Sequence, residues 1–201
     1  MTWIKIIPFE AATGKLKKLY NRVKGPDNNV DNILLAHSLR PHSLQGHMML
    51  YKNVLHNSNN EIPKHFLETL GVYVSFLNQC DYCVQHHFQG LKRLLADDAR
   101  SQQIWKALKD DTPQNAFDGK WLKAIQYAKI LTKEAAKLTE EYIDDLRAIG
   151  WDDGQILEIN QVCSYFAYAN RTVLGLGVTT QGDIIGLSPN DSDDPDNWNH
   201  A

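Results

Sequence analysis

Apolar residues recur every three or four positions along most of the chain, the spacing that gathers them on one face of an α-helix. In "TGKLKKLYNRVKG", Leu16, Leu19, Tyr20 and Val23 keep that period, with Thr13 as a candidate N-cap and Gly25 as a stop. A second pattern begins near Asp31, and Pro41 opens a third that carries Leu44, Met48, Tyr51 and Leu55. "HNSNNE" (56–61) reads as a loop, after which Pro63 suits the first turn of another helix. Farther on, "FQGLKRLL", "ARSQQIWKALK", "GKWLKAIQYAKILTKEAAKL" and "TEEYIDDLRAIG" hold the same period, and Gly150 ends the last of them. Residues 154 to 174 predict one more long helix. The pattern implies an all-α fold without a clear linker or internal repeat. Residues 1–187 form its helical domain, and the acidic "SPNDSDDPDNWNHA" (188–201) reads as a tail, disordered or docked on a neighbour.

One segment lacks a polar face. "GVYVSFL" (71–77) is rich in β-branched and aromatic residues, and a strand leading into C-x-x-C and a helix would suit a thioredoxin-like fold. That fold needs further strands and a proline in a downstream turn before one of them. Residues 90 to 174 hold no strand-like run, and their one proline, Pro113, sits in "DTPQNAFDG". A helix buried on all sides fits better.

Composition narrows the function classes. With 201 residues, 43% of them hydrophobic and 22% charged, the chain can bury one substantial core. The N-terminal "MTWIKIIPFE" lacks the basic region and apolar run of a secretory signal, and no apolar stretch reaches the roughly 18 residues of a membrane span. Three cysteines are too few, and odd in number, for a disulfide scaffold, so a reducing, cytoplasmic setting is expected. A net charge of −3 gives no basic footprint for nucleic acid.

The candidate chemistry lies in "NQCDYCVQHH" (78–87) and just before it. Glu68 is the sole Asp, Glu, Lys, Arg or His between Phe66 and Leu77. A carboxylate on a buried helix costs several kcal/mol unless it is hydrogen-bonded or protonated, so Glu68 either has a partner or reaches solvent near the helix start. If a helix begins around Cys80 to Cys83, with Asn78 or Asp81 near its N-cap, each residue turns about 100°. Cys80, Cys83 and His87 then share one stripe, while Tyr82 and His86 fall aside. Cysteines three apart in a first helical turn are close enough to bridge, and His87 can reach Cys83 directly or through one water.

A helix N-terminus stabilises a thiolate. Lowering a thiol from its usual value near 8.5 to about 6 raises the thiolate fraction at neutral pH from roughly 3% to roughly 90%. A neighbouring cysteine gives an oxidised sulfur an exit, because a sulfenic acid condenses with it to a disulfide. A structural zinc site competes for the same C-x-x-C, with His86 or His87 as a further ligand. A closed site needs four ligands, however, and Cys163 in "NQVCSYFAYANR" has no spaced partner. Cys163 reads as a buried helical residue, and the histidines at 37, 42, 47 and 56 as solvent or subunit contacts; Asn170 and Arg171 stand out after a long apolar helix and read as a helix end whose cation favours the dipole, ahead of a substrate or interface contact.

"ETLGVYVSFLNQCDYCVQHH" resembles the signature of the AhpD-like alkylhydroperoxidases of the carboxymuconolactone decarboxylase superfamily. There a Glu precedes C-x-x-C by twelve positions and a His follows the second Cys by four, spacings on which Glu68, Cys80, Cys83 and His87 fall. "ATGKLKKLY", "LLAHSLRPHSLQGHMMLYKNVL" and "FAYANRTVLGLGV" are similar to the peroxidase-related branch. The resemblance implies an all-helical homo-oligomer with the active site at the start of the C-x-x-C helix. It implies that Cys83 attacks a hydroperoxide, that Cys80 resolves the product as a disulfide, and that Glu68 and His87 relay protons. Tyr82 stands where some members have a His. No organic cofactor is implied; electrons would come from a dithiol reductant such as a lipoyl-bearing protein. A non-catalytic protein of the same fold, whose dithiol senses oxidation or serves assembly, is the alternative. A lactone decarboxylase is weaker, since that reaction has no task for a C-x-x-C pair.

Overall fold

In the computed structural model, which describes residues 2–194 and 196–200, the periodic segments are helices and no strand forms among the described residues. In chain order the α-helices are α1 (Gly14–Val23), α2 (Asn32–Ala36), α3 (Pro41–Leu55), α4 (Lys64–Leu77) and α5 (Asp81–Leu95). They continue as α6 (Asp98–Lys109), α7 (Gly119–Glu134), α8 (Glu140–Ala148) and α9 (Asp153–Leu176). The long "GKWLKAIQYAKILTKEAAKL" pattern closes early: α7 stops at Glu134 and a short 3-10 turn, Ala135–Lys137, follows. Among the described residues no helix is long and apolar enough to cross a membrane. The chain forms two compact units, Met1–Asn59 with Arg171–Ala201, and Asn60–Asn170.

The Asn60–Asn170 unit is built on α4 and α5, an antiparallel hairpin joined by a three-residue turn. Every residue of α4 from Phe66 to Ser75 is buried, as a helix without a polar face requires. Its apolar surface packs on α6 and α7, and Phe66 meets Trp121 edge-on at 4.6 Å between ring centres. Glu158 of α9 accepts the backbone N–H groups of Glu61 and Ile62 at 2.9 Å each, capping the approach to α4. Gly71 has a packing role, because a side chain there would overlap the Phe166 ring of α9.

The other unit gathers α1, α2, α3, the end of α9 and the segment after it. In the segment from Ser188, expected to be disordered or docked on a neighbour, Trp198 is 1% exposed and serves as an anchor. Arg22 lies over the Trp198 ring at 3.6 Å and pairs with Asp196 at 2.9 Å. The fully buried Lys52 donates to the carbonyls of His56 and Asn190 and to Ser192 Oγ. Charged residues face outward while one tryptophan and one lysine fix the backbone, an arrangement that composition conceals. His37, His47 and His56, expected at solvent or subunit contacts, are buried in this unit; His42 alone of the four is exposed. The face of a short or mixed helix is poorly marked by its own sequence, and imidazole is amphipathic enough to be drawn in.

Candidate active site

The turn between α4 and α5 sets the site. The Cys80 backbone N–H donates to the Ser75 carbonyl at 2.9 Å and that of Gln79 donates to Phe76 at 3.0 Å. This pair of bonds is a Schellman motif, whose penultimate residue takes a left-handed conformation. Gln79 takes it, with φ 57°. The next residue, Cys80, is at once the last of this motif and the N-cap of α5. Neither Asn78 nor Asp81 occupies the cap. The motif thus delivers the first cysteine into the ring of unpaired N–H groups at the start of α5, and one helical turn places the second beside it.

Cys80 and Cys83 are free thiols, both buried, and approach to 3.4 Å. The Cys83 thiol donates to the Cys80 sulfur. That bond is the largest influence holding Cys80 below the usual thiol range; burial opposes it, and the Cys83 backbone N–H and the Asn170 side chain assist. Cys83 is pushed well above the usual range by giving up that hydrogen bond, then by burial and by the charge on Cys80, with Asn170 opposing. Two sulfurs in such contact ionise as a pair: the first proton leaves readily and the second is held.

Glu68 sits on α4 and is 2% exposed. Its Oε2 lies 2.8 Å from Nδ1 of His87 on α5, so the carboxylate has a partner and does not reach solvent. With the carboxylate ionised, Nδ1–H donates to it and Nε2 is the basic nitrogen of the ring. Phe166 stands edge-on to His87 at 4.5 Å between centres and limits its rotation. Gly90 packs against the carboxylate: a Cβ there would be in ordinary van der Waals contact with it, 3.6 Å from Glu68 Oε1. Tyr165 is buried nearby, and burial, followed by the charges of Cys83, Tyr168 and Glu68, pushes its hydroxyl well above the usual range, so it stays neutral. His86 turns aside and stacks on Tyr82, with ring centres 4.6 Å apart.

Neither a protein-family model nor a curated protein matches the sequence. Solved structures do. An uncharacterized peroxidase-related protein with an alkylhydroperoxidase AhpD core from Ralstonia eutropha JMP134 aligns at 18% identity and TM-score 0.76, over 89% of this chain and 91% of that one. This chain has the AhpD fold. A peroxidase-related protein from Silicibacter sp. TM1040 shares the AhpD-type fold at 20% identity and TM-score 0.77, again over 89% and 91% of the two chains. So does the debrominase Bmp8, at 15% identity and TM-score 0.68, over 89% and 90%. At these identities the likeness concerns the fold.

Within its AhpD fold the chain brings Glu68 to His87 and Cys80 to Cys83, on the two arms of one hairpin. No group of three or more His, Cys, Asp or Glu able to hold a metal occurs among the described residues. Cys163 is buried, and burial pushes its thiol up to about 12. One residue at the dithiol escapes the motif. Asn170, fully buried on α9, donates through Nδ2 to Ser75 Oγ at 3.1 Å and accepts from Asn78 Nδ2 at 3.0 Å, and its side chain also meets both sulfurs. A lone amide in the apolar "YFAYAN" was the available signal.

Proposed function

We propose that this protein is a thiol-dependent hydroperoxide reductase. The observation that supports it is the buried Glu68–His87 pair at 2.8 Å on the same hairpin as two adjoining reduced cysteines. An isolated carboxylate in such a place would cost several kcal/mol, and its pairing with an imidazole suits a group that holds and passes a proton.

Cys83 carries a proton in the resting pair, and His87 Nε2, oriented by Glu68, takes it directly or through one water. The Cys83 thiolate then attacks the outer oxygen of a hydroperoxide. The O–O bond breaks, the alkoxide leaves as an alcohol with the proton returned by His87, and the sulfur becomes a sulfenic acid. Cys80, the thiolate-favouring partner, attacks the Cys83 sulfur and displaces hydroxide, which takes a proton from solvent and leaves as water, and the disulfide forms. A dithiol reductant, such as a lipoyl-bearing protein, restores both thiols in a reducing compartment such as the cytoplasm. Neither organic cofactor nor metal enters this cycle. Leu157 and Tyr168, exposed along one face of α9, support self-association.

Cys80, held below the usual thiol range, favours a second assignment, in which Cys80 attacks and Cys83 resolves. Two variants separate the assignments. Cys80→Ser, which keeps Cys83, is expected to form a sulfenic acid that dimedone traps after one equivalent of cumene hydroperoxide. Cys83→Ser is expected not to, and to lose turnover with dithiol reductant. The opposite pattern reverses the roles. In the wild type one equivalent of peroxide should remove two titratable thiols per chain. If those thiols disappear but no turnover follows with any dithiol, the protein is a redox sensor; wild-type turnover by Cys83→Ser would defeat the peroxidase assignment.

A further inference from the structure

Asn170 does not belong to the acid, imidazole and dithiol set, yet its side chain acts on both sulfurs as a hydrogen-bond partner. Four observations fix how it sits. It is fully buried on α9, away from competing water. Its Oδ1 accepts from Asn78 Nδ2 at 3.0 Å. Its Nδ2 donates to Ser75 Oγ at 3.1 Å, and that hydroxyl in turn donates to the Gly71 carbonyl at 2.8 Å, so the hydroxyl proton is committed away from the amide. The backbone of the same Ser75 accepts the Cys80 N–H at 2.9 Å, tying the amide to the turn that carries the first cysteine. One N–H of Asn170 is therefore engaged by Ser75, and the other is left for the sulfurs.

We propose that Asn170 is a fixed amide donor for the negative charge of the dithiol, whichever sulfur bears it. A carboxamide cannot lose a proton or change its charge, so it supports a thiolate while keeping out of the proton relay. A disulfide sulfur is a poor acceptor. The donor therefore favours the reduced, ionised pair over the oxidised one, and it both increases thiolate and makes the disulfide easier to reduce. The proposal deepens the dithiol chemistry above, but its test needs no peroxide.

The test follows thiolate absorbance near 240 nm against pH on the fully reduced full-length protein. Removing a hydrogen bond to a charged group should raise the first midpoint in Asn170→Ala by about one unit or more, roughly a tenfold loss of thiolate below both midpoints. Asn170→Asp, nearly the same shape, keeps the acceptor for Asn78 but replaces the donor with a charge, and should shift the midpoint further upward. In glutathione redox buffers at a pH where the wild type is ionised, both variants should favour the disulfide by about tenfold. A purely structural role would lower the melting temperature and leave midpoint and redox equilibrium unmoved, and that result overturns the proposal. If Asn170→Ala does not fold, Asn170→Asp decides by the same criterion. Wild-type protein that shows the midpoint dependence but consumes no peroxide would keep this inference and lose the peroxidase reading.

Discussion

Each of the two units buries ionisable side chains, and they are accommodated by opposite means. In the Asn60–Asn170 unit, Glu68 and His87 form a complementary pair at 2.8 Å, and the same hairpin carries two thiols that share a proton. In the other unit His37 and His47 lie 4.9 Å apart between ring centres, and His200 is close enough to act on His47 through its charge. His37 and His200 each engage a backbone carbonyl through Nδ1, that of Ile33 at 2.8 Å and that of Trp198 at 2.7 Å. His37 and His47 are tolerated beside other imidazoles because burial favours their neutral forms. A carboxylate and imidazole in contact are poised to exchange a proton. Burial alone therefore does not mark a reactive site; complementary protonation states do.

Breaking the pairing in the first region should have the largest effect. Glu68→Gln keeps the volume but no longer fixes which nitrogen of His87 carries the proton. Peroxide turnover with a dithiol reductant is expected to fall about 100-fold in kcat/KM, the usual scale of general acid–base catalysis. The number of titratable thiols in the reduced protein should not change. A variant as fast as the wild type would mean that the pair is structural, like the histidines of the other unit.

Acidification should break the second region instead. Burial, followed by the charges of His37 and His200, lowers His47 to about 3, against 6.5 for an ordinary imidazole. The unfolded chain therefore binds a proton at His47 between these values and the folded chain does not. Its contribution to stability is complete above 6.5 and is lost as pH falls toward 3. From pH 7 to pH 5 the loss is about 2 kcal/mol from this group alone. Burial also lowers His37, which adds to the same trend. Urea unfolding at the two pH values should show a difference that shrinks by about that amount in His47→Gln. Equal pH dependence in the variant would place the acid sensitivity elsewhere.

The two regions were not equally legible in the sequence. Glu68, Cys80, Cys83 and His87 could be found because helical spacing and local motif act within twenty residues, and α4 was identifiable as a buried helix from its missing polar face. Asn170 could not be assigned, since its contacts cross about ninety residues and nothing in "YFAYAN" names Ser75 or Asn78 as partners. The histidine cluster failed for the same reason: His37, His47 and His200 meet through tertiary folding, and the acidic run around Trp198 hid the residue that brings His200 inward. Helix periods report which face is apolar, and they do not say what that face meets.

The smallest effect concerns the backbone, where the contrast between the regions recurs. Both α4 and α9 end in a Schellman motif: Cys80 N–H to the Ser75 carbonyl at 2.9 Å in one, Val178 N–H to the Val173 carbonyl at 3.0 Å in the other. The α9 end uses Gly177, at φ 62°, for the left-handed position, with the Trp3 ring lying where a side chain would be. The α4 end uses Gln79, although glycine reaches that conformation without steric cost. The strained residue thus precedes the dithiol, where departures from local preference concentrate in functional regions. Gln79→Gly should relieve about 1 kcal/mol, offset in part by the extra freedom glycine gains in the unfolded chain. The urea midpoint should rise at unchanged slope. A fall in the midpoint would mean that the Gln79 side chain supports the turn by contacts that outweigh its strain.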